Sequence, residues 1–355
     1  VNITRSDILR SASATMLGGA LGASSYPREA SAQDLATVSI GIVSSSSDAP
    51  FFIADKLGFF RAAGINPQFT NFDGAPQMIA PLGTGQLDVG SGSPSAGFYN
   101  GVARGIDIRM VANKAYSPVG SGYNPLMIRT SLVKSGQYKS PKDLRGMRIA
   151  EPAKGGTTAA ALAKLLESVG LSYNDVTHVF LSFPDQVAAL ASGAIDGSLL
   201  NEPGATLAER SGVAVRVLSN DKWYPNQDQA EVFFGSSFIK SRPEIGMRFM
   251  AAWLRAARFY TDGLLNGRLR GKNGSQIIDI LTQATPIKDR SIYSSMTSQA
   301  VNPNGIINIR TLTDDLAFYK NNGFLIGDVG VSAAIDLSFQ QAALRQLGPY
   351  QPNDH

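Results

Sequence analysis

Apolar and polar positions alternate over Thr37–Val43 (TVSIGIV), and the β-branched content there predicts a strand. A serine-rich turn, SSSSDAP, follows, and then the helix-like run FFIADKLGFFRAAG, with Gly64 placed to end it. Asn66–Phe72 predicts a strand, PQMIAPLGTG a helix closing at Gly83–Gly85, and LDVGSGS a strand running into a loop. Ala96–Gly105 is a helix pattern and Ile108–Asn113 a strand pattern. This alternation is that of parallel βαβ units. It then starts again. LMIRTSL, MRIAEP, Val176–Phe183, AIDGSLLN and VAVRVLS read as strands, separated by a short turn (SPKDLRG), the long helix TTAAALAKLLESVG, the helix PDQVAALASG and a helix from Glu202 to Gly212. Two α/β layers of similar size are thus laid end to end. In the last third Glu231–Ile239 is strand-like and the rest mainly helical, including an amphipathic segment with Pro243 in its first turn.

One stretch occurs twice. LGTGQLDVGSGSP (Leu82–Pro94) returns as LASGAIDGSLLNE (Leu190–Glu202), with Leu82/Leu190, Gly85/Gly193 and Asp88/Asp196 identical. In each copy a helix ends in Gly, the chain turns tightly, and an Asp opens a short buried strand. The carboxyl end of such a strand borders the crevice where α/β sheets bind ligands. Two facing lobes would therefore offer both tips, Ser93–Pro94–Ser95 and Asn201–Glu202–Pro203, to one shared ligand.

Composition narrows the function classes. The 355 residues are 43% hydrophobic and 17% charged, with a net charge of +4. That is enough apolar material for a real core, without the basic clusters of a nucleic-acid binder. No cysteine is present, so disulfides, thiolate metal sites and cysteine nucleophiles are excluded. Arg5 and Arg10, the small-residue run SASATMLGGALGASS and then ASA before Gln33 form an export-signal pattern, with cleavage expected after Ala32. TRSDILR is similar to a twin-arginine signal but has only one arginine of the pair. No later run has the ~18 uninterrupted apolar residues of a membrane span.

Four blocks in register carry a family resemblance. FFIADKLGFFRAAGINPQF, MIAPLGTGQLDVG, SPKDLRGMRIAEPAKGGTT and QVAALASGAIDGSLLNEP resemble periplasmic solute-binding proteins of ABC importers, of the nitrate/sulfonate/taurine type. That group is related to binders of thiamine pyrimidine precursors. The blocks run from about Thr37 to Glu209, and the helical tail adds no motif of its own. The resemblance implies an α/β, two-lobed periplasmic-binding-protein fold (type II-like), with two doubly wound sheets joined by two hinge strands and a helical C-terminal part. Its expected division is an export signal over 1–32, lobe one over 36–124 and 232–345, lobe two over 125–231 and a tail over 346–355. The crossings are expected near Tyr123–Thr130 and Gln229–Ser237. The implied partners are a small-molecule ligand and a permease in the inner membrane, for a monomer outside it that closes its lobes on the ligand. Sulfonates or carboxylates are the expected ligands, with a pyrimidine precursor as the alternative. A second alternative is an enzyme of the menaquinone-pathway dehydratase kind on the same fold.

Candidate ligand residues follow from the loops. Ser44, Ser45, Ser46 and Ser47 offer hydroxyl and N–H groups before a helix, where an anion is favoured, or form a solvated turn. Phe51 either walls a ligand or packs in the core. Asp73 and Gly74 bind a polar group or shape a turn. Ser93, Ser95, Asn201 and Glu202 stand at the repeated tips. Lys114 is either a counter-charge for an anion or an exposed strand-end lysine. Gly155, Gly156, Thr157 and Thr158 open the long helix, which Thr157 can cap, and are not a P-loop. Asp185 and Gln186 start the next helix, where Asp185 is a ligand residue or a cap, and Glu231 lies at the second crossing. With only His178 and His355 available, no His-based triad or HExxH site can be built. No catalytic residue, metal or cofactor is expected.

Overall fold

The computed structural model describes residues 35–43 and 45–352. The export-signal reading over 1–32, Ser44 and the last three residues of the tail lie outside the described residues. Ten strands among the described residues form two five-stranded sheets. The first contains β1 (Ala36–Ile42), β2 (Ile65–Asn71), β3 (Val89–Gly92), β4 (Arg109–Ser117) and β10 (Gln227–Phe234), in the order β2-β1-β3-β10-β4. The second contains β5 (Leu126–Arg129), β6 (Arg148–Glu151), β7 (Thr177–Phe180), β8 (Gly197–Leu199) and β9 (Ala214–Leu218), in the order β7-β6-β8-β5-β9.

The strands of each consecutive α/β series pair in parallel, as in β1–β2, β1–β3, β6–β7 and β6–β8. One strand in each sheet is antiparallel to its neighbours, β10 in the first and β5 in the second. Both are the strands that enter directly from the other sheet. A chain leaving the carboxyl end of β4 arrives at the cleft edge of the second sheet, so β5 must run away from the cleft. The same reasoning applies to β9 and β10. The two connections run from Ser117 to Leu126 and from Leu218 to Gln227, somewhat earlier in the chain than Tyr123–Thr130 and Gln229–Ser237.

The repeated element has the same geometry in both lobes. Gly85 and Gly193 end their helices with φ of 76° and 77°. That left-handed backbone favours glycine at both positions, and a Cβ would also stand 2.9 Å from Ser237 Oγ or 2.7 Å from Arg129 Nη1, displacing those side-chain tips. Each aspartate then clamps the neighbouring strand. Asp88 Oδ2 accepts from Ser39 N (2.9 Å) and Asp196 Oδ2 from Arg148 N (3.0 Å). Arg242 pairs with Asp88, and Arg148 and Arg129 with Asp196.

The amphipathic helix Pro243–Thr261 buries Phe249, Met250, Trp253, Leu254 and Tyr260. They pack with Phe51 of the helix Ala49–Lys56 in the first lobe's main core. The strand expected over Glu231–Ile239 ends at Phe234, and a helix begins at Ser236. Gly235 marks the change because a Cβ there would meet the carbonyl oxygens of Leu82 (2.7 Å) and Leu87 (2.9 Å). No described helix is long and apolar enough to cross a membrane.

Candidate functional site

Between the sheets lies a cavity of about 570 Å³, lined by loops at the carboxyl ends of β1, β2, β3, β6, β7 and β8. Of the residues read from the sequence, Ser45, Ser46, Ser47, Asp73, Gly74, Ser93, Ser95 and Lys114 line it from the first lobe, and Gly156, Thr157, Thr158 and Asn201 from the second.

The serine loop is shaped by Asp48, a residue the sequence reading passed over. Asp48 Oδ2 accepts from the backbone N–H groups of Val43 and Ser45, both at 3.1 Å. Its other oxygen is 2.5 Å from Lys114 Nζ and 3.3 Å from Ser91 Oγ. Ser45 Oγ accepts from Ser47 N (3.1 Å), which turns the loop into the following helix. Lys114 is neither an exposed strand-end lysine nor an unpaired cation: its side chain and that of Asp48 are both fully buried. Among the described residues that line the cavity it is the only Lys or Arg, so the cavity wall offers no uncompensated positive charge.

The tips meet across the cleft. Thr157 N donates to Ser93 Oγ (3.0 Å), and Thr157 Oγ1 donates to Gln229 O (3.1 Å). The helix Thr157–Ser168 therefore takes its first hydrogen-bond partner from the other lobe, and Gly156, not Thr157, is its N-cap. Ala96 N donates to Gly155 O (2.8 Å), and Ser46 Oγ donates to Glu202 O (3.0 Å). Asp73 lies on the exposed rim, where it bonds Gln77.

Six candidates lie elsewhere. Phe51 is buried among Phe249 and Trp253, so core packing claims it. Gly155 has φ +65°, and a Cβ there would meet Ala96 Cβ at 2.9 Å, so its place is in lobe-to-lobe contact. Asp185 is exposed and accepts from Ser182 Oγ (2.5 Å). Gln186 is buried between Leu181 O (2.8 Å) and Ser198 Oγ. Glu202 turns its carboxylate to Arg216 (2.6 Å) and Thr206 N (2.9 Å), and only its carbonyl reaches the serine loop. Glu231 is fully buried in β10, opposite Asn113 and Gly92. Burial pushes its carboxyl well above the usual range, and the neighbouring Asp228 adds to this.

Other lining residues escaped the sequence reading. Tyr123, Asn124, Gln229 and Ala230 come from the crossings and from β10, and Phe72, Phe183, Ile287 and Tyr293 supply apolar wall. Polar Asn124 and Gln229 beside strand-like runs were a usable signal of a buried polar role. Thr285–Tyr293 had none, because only the fold brings that loop to the cleft. His178 stays outside the cavity: Nδ1 is 2.6 Å from Glu151 Oε1, Nε2 is 2.9 Å from Tyr173 O, and the ring stacks on Tyr173. Among the described residues no group of three or more His, Cys, Asp or Glu could hold a metal ion.

A family model described as NMT1/THI5 like matches residues 45–262, more than half of the chain. No curated protein matches in sequence. Among solved structures, the periplasmic nitrate-binding protein NrtA from Synechocystis PCC 6803 superposes with a TM-score of 0.74 at 12% identity, covering 89% of this chain and 90% of that one. The ligand-binding component of an ABC-type import system from Staphylococcus aureus, with zinc bound, gives 0.71 at 15% identity, covering 87% and 99%. The alkanesulfonate-binding protein SsuA from Xanthomonas axonopodis pv. citri, bound to MOPS, gives 0.68 at 17% identity, covering 85% and 99%. The two-lobed α/β fold of these proteins is the fold of this chain.

Proposed function

The chain belongs to the NMT1/THI5-like family, and from that premise we propose that it is the solute-binding component of an ABC-type importer. In this reading the protein is exported, captures a small polar organic solute between its lobes, and presents it to a permease in the inner membrane. The observation that carries the proposal is the cavity of about 570 Å³ at the facing carboxyl ends of the two sheets, a volume typical of small-molecule sites. Structural likeness to nitrate- and sulfonate-binding proteins supports it.

A sulfonate or carboxylate is our first candidate for the solute. With Lys114 committed to Asp48, such a head group would be held by hydroxyls and backbone N–H groups, chiefly at the start of the helix Thr157–Ser168. A pyrimidine precursor remains the alternative, favoured by the aromatic walls Phe72, Phe183 and Tyr293.

A thermal-shift panel of sulfonates, aromatic acids and pyrimidines tests the proposal. A solute at 100 times its Kd stabilises the folded state by about 2.7 kcal/mol and raises the melting temperature. Recovery of the bound compound unchanged, read by mass spectrometry, is expected of a binder, and its conversion would favour the enzyme alternative. A panel without a single shift would remove the support for solute capture.

A further inference from the structure

We infer that Asn124 dictates a chemical feature of the solute: the bound molecule carries an N–H or O–H donor that meets Asn124 Oδ1. The inference rests on the solute-binding reading and specifies the ligand of that same cavity.

A row of three buried amides runs from behind the cleft to its wall. Gln227 Nε2 is 2.9 Å from the backbone carbonyl oxygen of Thr157, and 2.9 Å from Asp315 Oδ2. A backbone carbonyl can only accept, so the Gln227 atom facing it must be the NH2 group. Gln227 Oε1 is then an acceptor, and it takes the hydrogen bond of Gln229 Nε2 (3.3 Å). Gln229 Oε1 in turn accepts from Asn124 Nδ2 (2.5 Å). Turning any one amide over would set two donors or two acceptors face to face. The polarity of the row is therefore fixed by Thr157 O, and Asn124 is left with its oxygen free.

Asn124 lines the cavity and is 4% exposed, and its Oδ1 is buried without a hydrogen-bond partner in the protein, so a solute donor reaches it as the lining side chains shift on binding. Its backbone N–H donates to Asn220 Oδ1 (3.2 Å), so the residue is anchored at both ends. A buried acceptor without a partner is costly, and one held in a ligand cavity is satisfied by a ligand donor. Thr158 Oγ1 is a second unpartnered buried atom on a lining residue, and as a hydroxyl it can serve a donor or an acceptor. Bare carboxylate or sulfonate oxygens have no hydrogen to give Asn124 Oδ1. An amide, an amine, an amino-substituted ring or a hydroxyl does. The demand applies whatever the solute's net charge, so an anion qualifies only when it also bears a donor.

Matched probes of equal charge that differ in one donor group test this: benzamide against acetophenone, and 2-hydroxyethanesulfonate against ethanesulfonate. Isothermal titration and thermal shift are run on the wild type, Asn124→Ser and Asn124→Leu. The expected result is at least about tenfold tighter binding of the donor-bearing member in the wild type, the size of one lost hydrogen bond in a buried site. In the variants that preference disappears, while melting curves without probe report whether each variant folds. Equal affinities within the pairs, or a preference that survives both substitutions, would overturn the donor rule alone. The wild-type comparison keeps this test independent of the variants. Absence of any shift with all four probes would count against solute capture itself, and the rule would fall with it.

Discussion

Buried ionisable residues carry stability consequences of two kinds. Lys114 and Asp48 form an ion pair at 2.5 Å with both side chains fully buried, and Asp48 also fastens the backbone of the serine loop. Removing one partner of such a pair strands the other charge away from water. Lys114→Met is therefore expected to lose about 3–5 kcal/mol of folding stability, measured by chemical denaturation. Asp48→Asn added to that variant removes the stranded charge and should recover part of the loss. Asp315 is of the second kind. Burial pushes its carboxyl from the ordinary 3.8 up to about 8, against the lowering pull of Gln227, Tyr224 and Lys164. Between those values the folded protein keeps a proton that the unfolded chain has lost, so stability falls as pH rises. The contribution is complete below about pH 4 and is lost as the pH passes through about 8. Asp228, raised to about 6 mainly by burial, adds the same slope over a narrower range. Asp315→Asn should reduce the dependence of melting temperature on pH between 6.5 and 8, a span of roughly 1.5 pH units that lies above Asp228's transition, while Glu231, also raised by burial, keeps its own contribution. An unchanged slope in the variant would show that the carboxyl is already ionised there.

At the scale of elements, the duplicated stretch serves as a register clamp before it serves as a cleft edge. Asp88 and Asp196 exchange backbone hydrogen bonds with the strand beside them, Ser39 in β1 and Arg148 in β6, and each carboxylate also has arginine partners. A slip of one residue would turn every side chain of the strand to the wrong face, so a fixed register matters in both sheets. Asp88→Ala and Asp196→Ala are each expected to cost about 1.5–3 kcal/mol, as for hydrogen bonds to a charged group. The clamps sit in separate sheets, so the double variant should add to within about 0.5 kcal/mol. A large departure from additivity would mean that the two lobes do not hold their registers independently. Such local signals were legible in the sequence: the Gly–Asp turn, the alternating strands and the glycine helix ends depend on neighbours a few residues away. The antiparallel entries of β5 and β10 were not, because a strand's direction depends on which end of the other sheet the chain comes from. Loop candidates such as Ser93, Thr158 and Asn201 could be named from position alone, since strand ends open onto the cleft. Phe51 and Glu231 could not be assigned that way, because their partners lie more than a hundred residues distant, and Gln186 could not because its partners, Leu181 and Ser198, flank its helix on either side.

For the molecule as a whole, the hydrogen bonds that cross the cleft define how its closed arrangement is held. Ser46–Glu202, Ser93–Thr157 and Ala96–Gly155 join the lobes close to the cavity. A further set lies at the rim, where Arg210 reaches Ser291 Oγ (2.6 Å), Ser291 O (3.0 Å) and Ser295 Oγ (2.9 Å) on the helix Arg290–Ser295. Ser46, Ser93 and Thr157 among these also line the cavity, so substituting them would alter the cavity wall along with the contact. Arg210 does not line the cavity, and its side chain is 42% exposed. Arg210→Ala therefore separates closure from contact. Solvent screens the arginine, so its contribution is at most about 1 kcal/mol. If only the closed arrangement binds well, that energy is taken from the closed population, and affinity for any solute falls by up to about fivefold without a change in selectivity. Small-angle scattering of the ligand-free variant should show a larger radius of gyration than the wild type, and saturating solute should bring the two together. A selective loss for one solute over another would instead give Arg210 a role in recognition. Unchanged scattering and affinity together would mean that the inner contacts alone hold the lobes.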